Sequence, residues 1–198
     1  MSSILYRYGS NYYINMTNRC PCDCTFCYRY LHDSIGESET LWLEKEPTVD
    51  DVMDAIRAAG LTEKDHIVFC GFGEPTVRID ALKEISKRIR SEVGADIRLD
   101  TNGLGRLIHG RDILPEVAES VDAISISLNA CNAEEYGQVT RCTFDPHEAY
   151  AELLDFIRRS KELIGNVTVS IVGGTIPPES EEKCHEIADQ MGVRFRVR

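Results

Sequence analysis

Short stretches with a strand period alternate along this chain with longer stretches of helical spacing. Strands are predicted at Tyr12–Thr17, His66–Cys70, Ile97–Thr101, Ala123–Leu128, Val167–Val172 and Arg194–Arg198. Between them, Val52, Ala55, Ile56 and Ala59 recur with helical spacing behind Thr48 as cap, and Gly60 ends that helix. Ile79, Leu82, Ile85, Ile89 and Val93 mark a second helix, closed by Gly94. A looser helix lies around Ile113–Ser120 and a short one near Ala133–Val139. A well-marked helix has Asp145 as cap, Pro146 in its first turn and Gly165 after its end. The last spans about Glu179–Met191. Residues 28–46 show little periodicity, and a connection of that length usually lies over a site.

Strands alternating with helices imply a parallel sheet with right-handed crossovers. The later strands show what kind of sheet. Ile97 and Leu99 alternate with Arg98 and Asp100, Ile124, Ile126 and Leu128 with Ser125 and Ser127, and Val167, Val169 and Ile171 with Thr168 and Ser170. Val193, Phe195 and Val197 likewise alternate with Arg194, Arg196 and Arg198. A flat doubly wound sheet needs both faces apolar. A curved sheet with a polar concave interior accommodates one polar face, so the expected fold is α/β, an open partial TIM-like (β/α)6 barrel. In such barrels the site forms at the carboxyl ends of the strands. Those ends carry a cysteine-rich loop, the turn Gly71–Pro75, Asn102, Asn129 and Gly173.

Composition narrows the class. The 198 residues, 42% hydrophobic, suffice for one sizeable core, so one domain is expected. A net charge of −11 argues against nonspecific binding to nucleic acid or anionic membranes. Met1–Tyr13 lacks the pattern of a secretory leader, and no run approaches the ~18 apolar residues of a membrane span. Eight cysteines in such a chain read as reduced thiols or metal ligands, not a disulfide framework, and the location expected is cytoplasmic.

The cysteine loop is the densest chemical signal. Cys20, Cys24 and Cys27 supply three thiols spaced by three residues and then two, with Phe26 before the last. Three thiolates suit an iron–sulfur cluster or zinc. Zinc usually takes paired hooks, and no second Cys-x-x-Cys follows. Three ligands would leave one iron of a [4Fe–4S] cube open to another molecule, which suggests chemistry at the cluster. Cys22 could replace a neighbour as ligand, but only Cys20 keeps the spacing, so Cys22 reads as a spectator. Cys70, Cys131, Cys142 and Cys184 read as packing or incidental thiols, Cys142, on a site-facing loop beside Arg141, being the one of them with reactive potential.

These residues resemble the radical S-adenosylmethionine (SAM) superfamily, whose signature is this cysteine spacing after the first strand. Its Gly-Gly-Glu-Pro motif is similar to Gly71-Phe72-Gly73-Glu74-Pro75, with Phe72 and Gly73 in place of adjacent glycines. The chain looks closer still to the radical SAM proteins encoded beside TatD-type nucleases, through NRCPCDCTFC, LWLEKEPT, VFCGFGEPT, LDTNGLG, IHGRDILPE, SISLNA and the terminal FRVR. The resemblance implies one core domain over residues 1–198 with its cluster loop at 18–30. Cys20, Cys24 and Cys27 would hold a [4Fe–4S] cluster whose fourth iron SAM chelates. One-electron reduction of SAM would then yield methionine and a 5′-deoxyadenosyl radical that abstracts hydrogen from a substrate.

Carried to single positions in the turn Gly71-Phe72-Gly73-Glu74-Pro75, Gly71, Gly73 and Glu74 would present backbone acceptors to the SAM ammonium, with the Glu74 carboxylate as a further candidate contact and Pro75 fixing the turn's exit, and Phe26 would touch adenine or simply pack the loop. Asn102, Ser127 and Asn129 are candidates for the ribose or the carboxylate, the alternatives being a turn at Asn102-Gly103 and a helix cap at Asn129. Arg141 could neutralise the carboxylate and Gly173 admit adenine. Arg196 and Arg198 line the substrate end or bind an acidic group, or are simply solvated. The expected partners are a small-molecule or peptide substrate and an electron donor such as flavodoxin or ferredoxin. Two rival readings are an activating enzyme that places a glycyl radical on a partner protein, and a noncatalytic iron–sulfur or zinc protein.

Overall fold

In the computed structural model, which describes residues 3–198 and leaves Met1 and Ser2 outside, the chain forms two compact units. Unit one holds the chain up to Cys20, then Tyr28–Asp100 and Glu119–Asp122; unit two holds Pro21–Cys27, Thr101–Ala118 and Ala123–Arg198.

The strands of unit one are β1 (Leu5–Tyr8), β2 (Asn11–Ile14), β3 (His66–Phe69) and β4 (Asp96–Thr101), adjacent in that order, β4 running on into unit two at Thr101. β2, β3 and β4 are parallel, with Tyr12 opposite Ile67 and Ile67 opposite Ile97. β1 was not among the expected strands. It pairs antiparallel to β2 through a two-residue loop, Tyr8 opposite Asn11, and Gly9 takes φ +61 there. The expected first strand ends early: Asn15–Thr17 is buried but outside the ladder. Helix α1 (Val49–Ala58) begins with a capping box between Thr48 and Asp51, as the cap residue predicts. Gly60, in the left-handed region, follows its end. Val52, Met53 and Ile56 of α1 are buried, as are Ile79, Leu82, Ile85 and Ile89 of α2 (Ile79–Glu92). Truncating one of these fully buried side chains to alanine costs about 2–5 kcal/mol.

Unit two has parallel strands β5 (Ala123–Ser127), β6 (Val167–Ile171) and β7 (Arg194–Val197). Their apolar residues Ile124, Ile126, Val167, Val169 and Ile171 are buried, in line with the alternation read from the sequence. Helix α3 (Gly105–His109) is a short element the periodicity did not announce; α4 (Leu114–Ser120) follows it. α5 (Ala133–Thr140), α6 (Pro146–Leu163) and α7 (Pro178–Gln190) lie within a residue or two of the expected bounds. Asp145 caps α6, its side chain accepting from the His147 and Glu148 amides at 3.0 and 3.1 Å. No described helix is long and apolar enough to cross a membrane.

Candidate functional site

The cysteine loop leaves unit one at Cys20 and continues in unit two from Pro21. In unit one its approach is fixed by side chains. Thr17 Oγ1 donates to Glu46 Oε1 at 2.6 Å, and the Arg19 guanidinium meets both Glu46 oxygens at 2.7 and 3.0 Å. Asn18 exchanges two hydrogen bonds with the Leu43 backbone, and Arg78 donates to the Met16 and Pro47 carbonyls at 2.8 Å. Burial acts to raise the Glu46 pKa, but the hydrogen bonds from Arg19 and Thr17 outweigh it and hold the carboxyl below its ordinary value.

In unit two the loop is fixed by backbone. The Asp23 amide donates to Thr140 O at 3.0 Å, the Thr25 amide to Val139 O at 2.9 Å, and the Thr143 amide to Pro21 O at 2.9 Å. A disulfide joins Cys22 to Cys142, 120 residues along the chain. This corrects two expectations. Not every cysteine is a reduced thiol or a ligand, and Cys22 is no spectator but an anchor of the loop. No spacing rule relates two cysteines so far apart, so the pair left no trace in the sequence. The bond removes Cys22 from any ligand set, while Cys20, Cys24 and Cys27 stay outside it and are partly exposed. Three such thiols on one short loop fit a cluster in their donor chemistry. Among the described residues no three His, Cys, Asp or Glu side chains converge as a single-ion site, a convergence that a cube holding each cysteine on a separate iron does not require. Phe26, between Cys24 and Cys27, is half-buried.

The Gly71–Pro75 turn follows β3 in unit one. A Cβ on Gly71 would fall on the Asn15 side chain, with Cγ at 2.8 Å, and one on Gly73 would fall on the Thr17 carbonyl, with the Arg19 carbonyl at 2.6 Å. Both glycines are therefore required by close approach of the segment that leads to Cys20. The Glu74 amide donates to Arg19 O at 2.9 Å, joining turn and loop. Glu74 Oε1 accepts from the Thr76 amide and hydroxyl at 3.0 and 2.7 Å, capping the 3-10 turn that starts at Pro75. Phe72 is buried in a small cluster with Tyr6 and Leu41, and Trp42 meets its ring edge-on at 5.1 Å. Asn15 went unnoticed in the sequence. It is buried, its amide nitrogen donates to Leu41 O at 2.7 Å, and its Oδ1 faces Gly71 without a hydrogen bond. Tyr6 donates to Cys70 O at 3.2 Å, and burial, then Cys70, pushes its pKa up.

In unit two, Asn102 Oδ1 accepts from the Leu104 amide at 2.9 Å and its Nδ2 lies 3.9 Å from Cys22 Sγ. Asn129, buried just past β5, has φ 60 and an Oδ1 with no hydrogen-bond partner. It does not cap the next helix. Asn132 does, accepting from the Glu135 amide at 2.9 Å. A non-glycine residue held in the left-handed region with an orphaned buried acceptor is strained in a way that often accompanies function. Ser127 Oγ accepts from Arg198 at 3.2 Å. Arg141 is exposed and ends α5 in the left-handed region, φ 47, immediately before Cys142. The exposed Gly173 donates its amide to Arg198 O at 3.1 Å. Burial, then Cys131, pushes the Cys184 thiol up to about 12, which suits an inert packing residue.

The sequence model described as the Radical SAM superfamily matches residues 14–191. A probable GTP 3′,8-cyclase of Methanocaldococcus jannaschii is 28% identical over 133 residues, 65% of this chain and 39% of its own length. One from Methanocella arvoryzae is 28% identical over 134 residues, covering 65% and 37%. The chain thus spans about two fifths of the length of these curated relatives. Among solved structures, Streptococcus suis SuiB bound to precursor peptide SuiA superposes with a TM-score of 0.66 at 16% identity, covering 93% of this chain and 38% of that one. The FeFe-hydrogenase maturase HydG from Carboxydothermus hydrogenoformans gives 0.64 at 19%, covering 93% and 43%. These likenesses bear out the fold class expected from the sequence.

Proposed function

Because this chain belongs to the radical SAM superfamily, we propose that it is an enzyme that cleaves SAM reductively to initiate radical chemistry on a substrate. The observation that carries this reading is the loop in which Cys20, Cys24 and Cys27 stay outside the disulfide while Cys22 is tied off. A bound [4Fe–4S] cluster and SAM would supply the electron transfer and the 5′-deoxyadenosyl radical. The protein's share is placement. Cys20, Cys24 and Cys27 hold the cluster. Gly71 and Gly73 keep the turn against the backbone that leads to Cys20, and its backbone carbonyls meet the SAM ammonium, since Glu74 Oε1 is already engaged by Thr76. Phe26 meets adenine. In unit two, Asn102, Ser127, Asn129, Arg141 and Gly173 serve the ribose, carboxylate and adenine, and the orphaned Asn129 Oδ1 favours it most.

The family match runs through both units, which supports one core domain over residues 1–198. The quoted motifs support the finer assignment to the TatD-associated proteins. A flavodoxin or ferredoxin supplies the electron, and the substrate is a small molecule or peptide. The enzyme works in the cytoplasm, where a disulfide such as Cys22–Cys142 is expected to be reversible.

The test is anaerobic reconstitution with iron and sulfide. Wild type should bind iron, show a cluster EPR signal that SAM alters, and release 5′-deoxyadenosine on reduction. Alanine at Cys20, Cys24 or Cys27 should abolish all three. Variants that keep iron loading and deoxyadenosine formation, or a colourless zinc-loaded wild type, would refute the proposal.

A further inference from the structure

Unit two carries a polar face that the proposed function leaves largely unused. Strand register builds it in rows. Ser125 lies opposite Thr168 and Thr168 opposite Arg194; one step on, Ser127 lies opposite Ser170 and Ser170 opposite Arg196. Side chains paired across adjacent strands share a face. Both rows therefore read serine, serine or threonine, then arginine. Neither row contains an acid, in a chain of net charge −11.

The two arginines differ. Arg194 is satisfied where it stands, donating to Thr168 Oγ1 at 3.2 Å and to Asn166 Oδ1. The Arg196 guanidinium makes no hydrogen bond or ion pair with any described residue. Its row-mate Ser170 is 1% exposed, and its hydroxyl has no partner either. A buried hydroxyl left unpaired is unfavourable unless a further group completes it, and the exposed Arg196 guanidinium of the paired strand has its donors uncommitted. Arg198 reaches the same row, donating to Ser127 Oγ at 3.2 Å. Ser127 closes β5, and Ser170 is the last residue but one of β6, so the row lies at the carboxyl ends of these strands, where barrels act on substrates.

We propose that Arg196 and Ser170, with Arg198 beside them, form a subsite for an oxyanion of the substrate, a phosphate or a carboxylate. Resting on the radical SAM reading, this narrows its substrate to an anionic one. The planar guanidinium fork suits two oxygens of either anion, and the serine hydroxyl supplies a neutral donor for a third contact.

Inorganic pyrophosphate and succinate are the probes, titrated calorimetrically into the reconstituted holoenzyme, with SAM binding followed in parallel by the cluster EPR signal. At least one probe should bind wild type, and which one binds tells phosphate from carboxylate. Arg196→Ala should weaken that binding about tenfold or more, as expected for one charge-assisted contact, and Ser170→Ala about threefold. Arg196→Lys should keep part of the affinity, and SAM binding should be the same in all variants. Binding of neither probe, unchanged probe binding in Arg196→Ala, or loss of SAM binding in that variant would each overturn the assignment, the last by giving the row to the SAM carboxylate. Deoxyadenosine formation is scored separately, so failure of the anion site and failure of the radical SAM reading are distinguishable.

Discussion

Residues 17–20 and 21–25 are consecutive, yet the two stretches are held by different chemistry. In unit one, the approach to Cys20 rests on a carboxylate: Glu46 gathers Thr17 and Arg19. In unit two, the path toward Cys24 and Cys27 rests on three backbone hydrogen bonds, which tie Pro21, Asp23 and Thr25 to Thr143, Thr140 and Val139, and on the Cys22–Cys142 disulfide. The first anchor responds to acid and salt, the second to reductant. A loop that must present three thiols together is thus secured at its two ends by forces that no single condition removes at once. Treatments that address one anchor and spare the other are the means to test this division.

The largest effect is expected from the disulfide. A cross-link closing a loop of this length stabilises by about 2–5 kcal/mol, chiefly by restricting the unfolded chain. Cys142→Ser should lower the urea midpoint accordingly. Adding a thiol reductant should bring wild type down to the level of the variant and leave the variant where it is. If reductant shifts both proteins equally, the bond does not anchor the loop.

Gly73 probes the other end. A methyl group there would meet the Thr17 and Arg19 carbonyls, which belong to backbone and cannot swing aside. Gly73→Ala should cost about 1–3 kcal/mol through forced displacement and lose the SAM-induced change in the cluster EPR signal, while alanine at Gly110, where the left-handed φ of +64 strains the backbone but the methyl group meets no neighbour, should do far less to that signal. An EPR response to SAM retained in Gly73→Ala would show that the turn tolerates the shift.

What the sequence disclosed about these two ends follows the range of the interactions. The cysteine spacing, the Thr48 and Asp145 caps and the strand–helix alternation are local, and each was legible. The signal for strand β1 is local as well. Tyr8-Gly9-Ser10-Asn11 joins two aromatic-rich runs by a two-residue loop, a hairpin signal that stands apart from the strand–helix alternation. Helix α3, five residues beginning at glycine, is too short for periodicity to reveal. The cap of α5 falls to Asn132, which takes the extended backbone of an N-cap, and not to Asn129, whose φ of 60 is left-handed. The disulfide, the Glu46 cluster and the Asn15–Gly71 contact are nonlocal. They join residues far apart in sequence, and nothing in one segment announces its partner in the other.

The smallest predicted effect is also the one that separates the two anchors most directly. The folded-state pKa of Glu46 lies below its ordinary value of 4.5, because the Arg19 and Thr17 hydrogen bonds outweigh the effect of burial. A depressed carboxylate pKa contributes stability that is fully present above the unfolded value and lost as pH falls through the folded one. Glu46 is 36% exposed, so screening by solvent limits the contribution to about 0.5–1 kcal/mol. Glu46→Gln keeps the shape and removes the charge. At pH 7 and low salt it should be less stable than wild type by that amount, and the gap should narrow as pH falls below the ordinary value of 4.5 and through the depressed folded-state pKa, or in molar salt. Reductant acts on the other anchor and should lower both proteins equally, leaving the gap unchanged. Should the gap instead be insensitive to acid, or vanish on reduction at pH 7, the two ends of the loop would not be independently held.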